Sequence, residues 1–493
     1  MPPSPSRPRD RYRPGVSAER EVDREVDVVV VGAGPVGENV ADRAARTGLE
    51  VVVVEKELVG GECSYWACMP SKALLRSGQA LAAARRLPGA AEAVTGALDA
   101  AKVLERRDRF TSGWDDSGQA GWLESAGLGL VRGTARLDGP RRVVVETGEG
   151  AVTLTARRAV VLATGSVPVL PGVPGLAESR VWTSREATSA QAVPGRLVVL
   201  GGGVVGCELA QAWARLGSRV TLLARSGLLT GQEDFAGELV AAALRADGVD
   251  VRFGAQLSRV SRDDAGVHVV LADGSTVDAD EFLVATGRRP TTSGIGLETV
   301  GLEDGGALEV DDTGLVAGVE GSWLYAAGDV SGRPKLTHQG KYGGRVVGDA
   351  ITARASGALI GDAPAWSRWT TTADHAAVPQ VVFTDPEVAQ VGLTAAQARE
   401  RGIDVKVVDY EIGDVAGASL VADGYTGKAR MVVDEQRRVV VGVTFVGQDV
   451  AELLHSATIA VVGEVPLDRL WHAVPSYPTI SEVWLRLLET YGL

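Results

Sequence analysis

The chain has 493 residues, 45% hydrophobic and 23% charged, the composition of a soluble globular protein too long for one core. Its 63 acidic and 50 basic residues give a net charge of −13, which disfavours a general nucleic-acid binder with its basic footprint. No stretch approaches the roughly 20 apolar residues of a membrane-spanning helix, so no membrane partner is expected. Three cysteines exclude a disulfide scaffold and point to a reducing, cytoplasmic compartment, where a cysteine pair is a candidate for redox work.

Residues 1–25 are rich in Pro, Arg, Asp and Glu, carry no apolar segment and are expected to form a disordered extension. Beyond them strand-like and helix-like segments alternate, the mark of an α/β protein. Val26–Val31 runs into Gly32-Ala33-Gly34-Pro35-Val36-Gly37, a helical stretch to Thr47, and Val51–Val54 ending in Glu55. The same design returns as Leu197–Leu200, Gly201-Gly202-Gly203-Val204-Val205-Gly206, a helix through Leu216, and Val220–Leu223. Gly32, Gly34 and Gly37, like Gly201, Gly203 and Gly206, allow a tight turn, close approach to a pyrophosphate and packing of helix on strand. One such turn is weak evidence, but two copies in correct βαβ units predict two dinucleotide sites.

An acidic residue about 20 positions on is expected to hold ribose hydroxyls, and Glu55 fills that place in the first copy. In the second copy Arg225 stands where a carboxylate is expected. An arginine attracts a 2′-phosphate, so NADPH is favoured, with NADH possible; a solvated surface arginine is the ordinary alternative.

Between the two units lies Gly60-Gly61-Glu62-Cys63-Ser64-Tyr65-Trp66-Ala67-Cys68-Met69-Pro70-Ser71-Lys72. In one regular helix residues five apart lie about 7.5 Å apart along the axis, whereas a disulfide wants Cα atoms within about 4.4–6.8 Å. The pair closes only if the first turn is irregular, as Gly60-Gly61 and Pro70 permit. Spacing alone leaves a redox pair and two packed thiols both open. From about Thr372 the strand-like segments Val378–Phe383, Val405–Tyr410, Ala429–Val433 and Val439–Phe445, then helical Ala451–Val462, predict an α+β domain with a mainly antiparallel sheet. No metal site is expected.

Over roughly Val26–Leu493 these landmarks resemble the pyridine nucleotide-disulfide oxidoreductases. The cysteine string is similar to their redox-active disulfide motif, and Ala163-Thr164-Gly165 and Ala285-Thr286-Gly287 to their two linker turns. Ala327-Gly328-Asp329 is similar to the second flavin motif; Leu336-Thr337-His338 and Phe383-Thr384-Asp385-Pro386-Glu387 also fit. The resemblance implies two Rossmann-like dinucleotide-binding domains, for FAD (26–172) and NAD(P) (173–290). A central segment (291–370) contacts FAD again, and a C-terminal α+β dimerisation domain (371–493) makes a homodimer. It also implies that Cys68 faces the flavin and Cys63 meets the acceptor. Lys72 would lie near the flavin N5, paired with Glu208, and Asp329 would bind the ribityl chain. Arg288 would lie by the NADPH adenosine, and Gly61, Gly165 and Gly287 join the cofactor-binding residues. Cys207 is expected to pack, and Val204 replaces the tyrosine gate of many relatives.

The sequence departs from the family again near its C-terminus. Tyr477-Pro478-Thr479-Ile480-Ser481-Glu482 has tyrosine where disulfide reductases place the acid–base histidine that serves the partner's active site, with Glu482. Histidine titrates near pH 6.5 and tyrosine near about 10, and losing a positioned acid–base costs about 10²–10⁴ in rate. His472 is expected to face solvent or the interface. Mercuric reductases and soluble transhydrogenases share the tyrosine, but the former are expected to end in a cysteine pair and this sequence ends Tyr491-Gly492-Leu493. The function implied is transfer of electrons from NAD(P)H through FAD and Cys63–Cys68 to a small-molecule acceptor: a disulfide, metal ion or other soft acceptor. The alternative is a flavin-direct quinone reductase or transhydrogenase-like enzyme that bypasses the cysteines.

Overall fold

The computed structural model of the protein describes residues 22–493. Strand β1 (Val22–Val31) lies at the centre of a seven-stranded sheet, parallel to β2 (Val51–Glu55) on one side and β3 (Gly150–Leu162) on the other. Val28, Val29, Val30, Val52 and Val53 are fully buried, because both sheet faces are covered and the strand reads as a continuous apolar run. Val22–Glu25, expected outside the fold, instead pair with Val152–Thr155 of β3. The physical reason is the 13-residue length of β3, which offers backbone partners beyond the core while Asp23, Arg24 and Glu25 stay exposed. The rest of the expected extension, residues 1–21, lies outside the described residues.

The glycine turn after β1 opens helix α1 (Pro35–Ala45). After β2 the chain forms a short helix α2 (Gly61–Tyr65), breaks, and starts α3 (Cys68–Arg85). The second nucleotide unit has β4 (Arg196–Leu200), α4 (Val204–Arg215) and β5 (Arg219–Leu223), in a four-stranded parallel sheet with Asp250–Arg252 and Glu281–Val284. The duplication extends to atomic contacts: a Cβ on Gly37 would lie 1.9 Å from the Gly32 oxygen, and one on Gly206 1.9 Å from the Gly201 oxygen. Only glycine lets each helix start against its own turn.

The linkers between the units pair with each other, Ser166–Pro168 antiparallel to Arg288–Pro290. The chain then returns to the first unit. Leu324–Ala326 adds a parallel strand to β3, and helix α5 (Thr337–Ala355) lays Gly340, Gly344 and Gly348 on α1. The C-terminal part is a five-stranded antiparallel sheet in the order Gln380–Val382, Glu387–Gly392, Val439–Gly447, Lys428–Asp434, Val405–Glu411. Helices Leu454–Val462 and Val483–Tyr491 share its core through Leu454, Ala457, Trp484 and Leu487. Strand Glu387–Gly392 is absent from the sequence-based expectation, which took Glu387 only as the end of a motif.

Candidate active site

The break between α2 and α3 brings Cys63 and Cys68 together. Trp66 (φ −137°, ψ 1°) and Ala67 (φ −131°, ψ −98°) leave helical geometry, and Cys68 opens the new helix. The two sulfurs, which five residues of continuous helix would separate, therefore meet. The Thr337 hydroxyl at the start of α5 lies 3.2 Å from each Sγ, and both cysteines are thiols. The pair is electrostatically asymmetric. The hydrogen bond from Cys63 pulls Cys68 below the ordinary thiol range, helped by Thr337 and the Lys72 charge and opposed by burial. Cys63, as the donor of that bond and itself buried, is pushed up. The asymmetry favours ionisation of Cys68 over Cys63, at a helix N-terminus that favours a thiolate.

Lys72 lies four residues on, one turn along α3. Its Nζ is 2.7 Å from Glu208 Oε2 on α4, and Glu208 is 2% exposed. The other oxygen, Oε1, accepts the Phe383 N–H at 2.9 Å, and the Phe383 ring centroid lies 4.9 Å from Lys72 Nζ. Three parts of the chain converge on one ammonium.

Residues for a dinucleotide surround the pair. α1 starts at Gly34 with no side-chain cap, leaving its N-terminal N–H groups for an anion. Gly61 sits against this turn so closely that a Cβ would lie 2.8 Å from the Gly34 Cα, and Gly165 opens on free space. Glu55 is buried and accepts the N–H groups of Ala33 (2.7 Å) and Glu57 (2.8 Å), leaving its remaining lone pairs for ribose. Asp329 accepts the Ser166 hydroxyl at 2.5 Å. This uncapped helix start, glycine cradle and anchored carboxylates fit FAD. Arg288 donates to the Ser166 hydroxyl (2.8 Å) and carbonyl (2.6 Å) and lies 3.5 Å from Glu62. Strand pairing of the linkers places its guanidinium in this cluster.

The second glycine turn, with Gly287 at the neighbouring linker, leads into α4, whose N-cap Gly203 likewise has no side-chain cap. Arg225 at the end of β5 is exposed and, among the described residues, has no hydrogen-bond or ion-pair partner. Cys207 is fully buried and its thiol is pushed up to about 12 by burial, as a packing residue should be. Val204 is exposed at the helix start.

Tyr477 is 76% exposed, and neither it nor Glu482 bonds to the cysteines or Lys72 within the chain. Glu482 is buried: Oε1 pairs with Arg486 at 2.5 Å, while Oε2 has no partner. His472 is exposed. Sequence reasoning missed Thr337 and Phe383 as contacts of the site, although both lay inside motifs it had noticed. It also missed Glu38, pushed up to about 7 by burial, beside a cavity of about 390 Å³ lined by Asn39, Asp42, Gln119 and Trp122.

The family model described as pyridine nucleotide-disulphide oxidoreductase matches residues 26–344, and its dimerisation domain matches 378–487. The chain belongs to the pyridine nucleotide-disulphide oxidoreductases. Members of this family depend on FAD and a pyridine nucleotide, and the chain is such an oxidoreductase. A mercuric reductase of Shigella flexneri is 32% identical over 475 residues, spanning 94% of this chain and 80% of that protein. A dihydrolipoyl dehydrogenase of Thermus scotoductus is 34% identical, spanning 94% and 96%. Among solved structures, LpdA from Mycobacterium tuberculosis superimposes with a TM-score of 0.80 at 25% identity, covering 95% of this chain and all of that one. The Cu(II) complex of the HOCl-induced flavoprotein disulfide reductase RclA from Escherichia coli, at 24% identity and a TM-score of 0.81 over 94% and 99% of the two chains, shares the fold. Among the described residues no helix is long and apolar enough to cross a membrane, and no group of three or more His, Cys, Asp or Glu side chains is arranged to hold a metal.

Proposed function

We propose that the protein is an NADPH-dependent reductase that passes two electrons through Cys63–Cys68 to a disulfide, metal ion or other soft acceptor. The observation that carries this reading is the meeting of both sulfurs at the Thr337 hydroxyl, with the charge on Cys68 and Lys72 one turn away. Relatives named mercuric reductase and dihydrolipoyl dehydrogenase supply the acceptor classes. FAD, when bound, supplies the two-electron chemistry between nicotinamide and sulfur.

In this proposal Cys68 is the flavin-side thiolate and Cys63 the interchange thiol. With a disulfide acceptor, the Cys63 sulfur bonds to one acceptor sulfur and the other leaves as a thiolate, taking up the Cys63 proton. The Cys68 thiolate then attacks the Cys63 sulfur, expels the second half as a thiolate and closes the Cys63–Cys68 disulfide. The acceptor gains the two electrons that the dithiol loses. Lys72 and Glu208 hold the charge balance behind Cys68; Asp329, Glu55 and the glycine turns hold the cofactor. The test is Cys63→Ser/Cys68→Ser. Loss of acceptor reduction with retained NADPH oxidation by dyes supports the reading. Full turnover of quinones or nucleotide analogues, with no acceptor lost, favours the flavin-direct alternative that Tyr477 suggests.

NADPH is preferred because Arg225 is exposed and unengaged where a 2′-phosphate would lie. Arg225→Glu is expected to raise KM for NADPH about 10- to 100-fold and leave NADH unaffected, measured by steady-state kinetics with both nucleotides.

The working unit is a homodimer in a reducing, cytoplasmic setting. Exposed Ile459 (58%), Val474 (85%) and Tyr477 lie in the matched dimerisation domain, and Tyr477 and Glu482 serve the partner's thiols. Tyr477→His restores a base that titrates near neutrality and is expected to speed disulfide reduction at pH 7 by at least about tenfold. Unchanged rates on every disulfide offered would place Tyr477 outside the active site.

A further inference from the structure

Residues Phe383–Asp385 leave the C-terminal sheet and enter the cleft between α3 and α4. Both backbone groups of Phe383 are engaged: its N–H donates to Glu208 Oε1 on α4, and its carbonyl accepts from Gln79 Nε2 on α3, each at 2.9 Å. Asp385 is fastened the same way. The Gln211 side chain bonds to both its N–H (2.7 Å) and its carbonyl (2.9 Å), and its carboxylate pairs with Arg215 at 2.9 Å and with Arg86. The segment is therefore fixed to the helix that carries the cysteine and to the helix that carries the glutamate.

An ammonium one-third exposed beside a buried carboxylate has rotamer freedom to lose. The Phe383 face removes that freedom by attracting the cation at 4.9 Å. Its N–H meanwhile holds the carboxylate that Lys72 faces.

We propose that Phe383 is a positioning residue for electron transfer: its ring and N–H fix the Lys72 ammonium against Glu208, so that the dimerisation domain sets the field at the Cys68 sulfur. The proposal rests on the reading of Cys68 as the flavin-side thiol. The charged and polar groups that face Cys68 are Lys72 on its own helix, Glu208 from α4, the Cys63 thiol from α2 and the Thr337 hydroxyl from α5. Phe383 touches two of these four partners and Cys68 itself not at all.

The experiment follows the long-wavelength thiolate-to-flavin absorption of the two-electron-reduced holoenzyme against pH, which reads the Cys68 charge and not turnover. Phe383→Leu keeps an apolar side chain and the backbone bonds but removes the ring. Its midpoint is expected to move up by about 0.3 of a pH unit, because Lys72 keeps its charge but loses its fixed position. Phe383→Tyr keeps a ring face and should titrate as wild type. Val382→Ala, at a fully buried neighbour, should lower the melting temperature without moving the midpoint. If Phe383→Leu fails to retain FAD, Phe383→Met is read in its place. An unmoved midpoint in the ringless variant, or an equal shift in Val382→Ala, overturns the positioning role. A wild-type protein with no such absorption at any pH removes the functional reading, and this proposal with it.

Discussion

Cys63→Ser is expected to cut reduction of the terminal acceptor by at least about 10³-fold while leaving NADPH oxidation by one-step dyes largely intact. The asymmetry of the pair is the reason. The site favours ionisation of Cys68 and holds Cys63 as a thiol, and in the proposed reading Cys63 is the sulfur that meets the acceptor. Removing Cys63 also removes the hydrogen bond that does most to favour the Cys68 thiolate, but leaves Thr337 and Lys72 in place. Cys68 in this variant should therefore still ionise below an ordinary thiol, though less readily than in the wild type. Its long-wavelength absorption should persist at pH 8. Cys68→Ser should abolish both the absorption and acceptor turnover. Stopped-flow spectra of the two variants separate the roles, and equal behaviour of both would contradict the assignment.

Lys72→Met should have the second-largest effect, on stability and titration together. Glu208 is 2% exposed inside α4, and without Lys72 its side chain keeps, among the described residues, only the Phe383 N–H as a hydrogen-bond partner. Stranding one member of a buried pair costs about 3–5 kcal/mol, and because Lys72 is itself one-third exposed the cost here should be nearer about 2 kcal/mol. The sign for Cys68 follows from the same geometry. Its folded value lies below the unfolded one, so the thiolate contributes stability above the ordinary thiol value and loses it as pH falls through the lowered one. Deleting Lys72 removes one of the causes, and the titration should move up. Denaturant unfolding and a pH series on the holoenzyme measure the two effects separately. Restoration of both by Lys72→Met/Glu208→Gln would show that the stranded charge, not lost packing, was responsible.

Much of this site was legible because its chemistry is local. Gly32-x-Gly34-x-x-Gly37 and Gly201-x-Gly203-x-x-Gly206 each specify a turn within a few residues of a valine-rich strand, and the two repeats fold alike to the same 1.9 Å constraint. The pairing of Lys72 with Glu208 came from family resemblance, since no local pattern links residues 136 positions apart. Thr337 stands 269 and 274 residues from the two cysteines, and only the return of α5 onto α1 brings it between them. Phe383 was visible as a motif, yet its contact with Lys72 depends on how the third domain docks. The contacts of Arg288 with Ser166 and Glu62 were hidden for the same reason: linker pairing decides where its side chain points. The Val22–Glu25 strand was hidden because Asp23, Arg24 and Glu25 are polar and solvent-facing, and only the backbone ladder records it.

The most direct measurement is an anaerobic reductive titration of the purified holoenzyme with dithionite, followed in the visible spectrum. A redox-active Cys63–Cys68 pair predicts that full bleaching needs a second reducing equivalent per FAD and that a long-wavelength thiolate-to-flavin band rises midway. Bleaching complete at one equivalent, with no such band, would contradict electron flow through the cysteines.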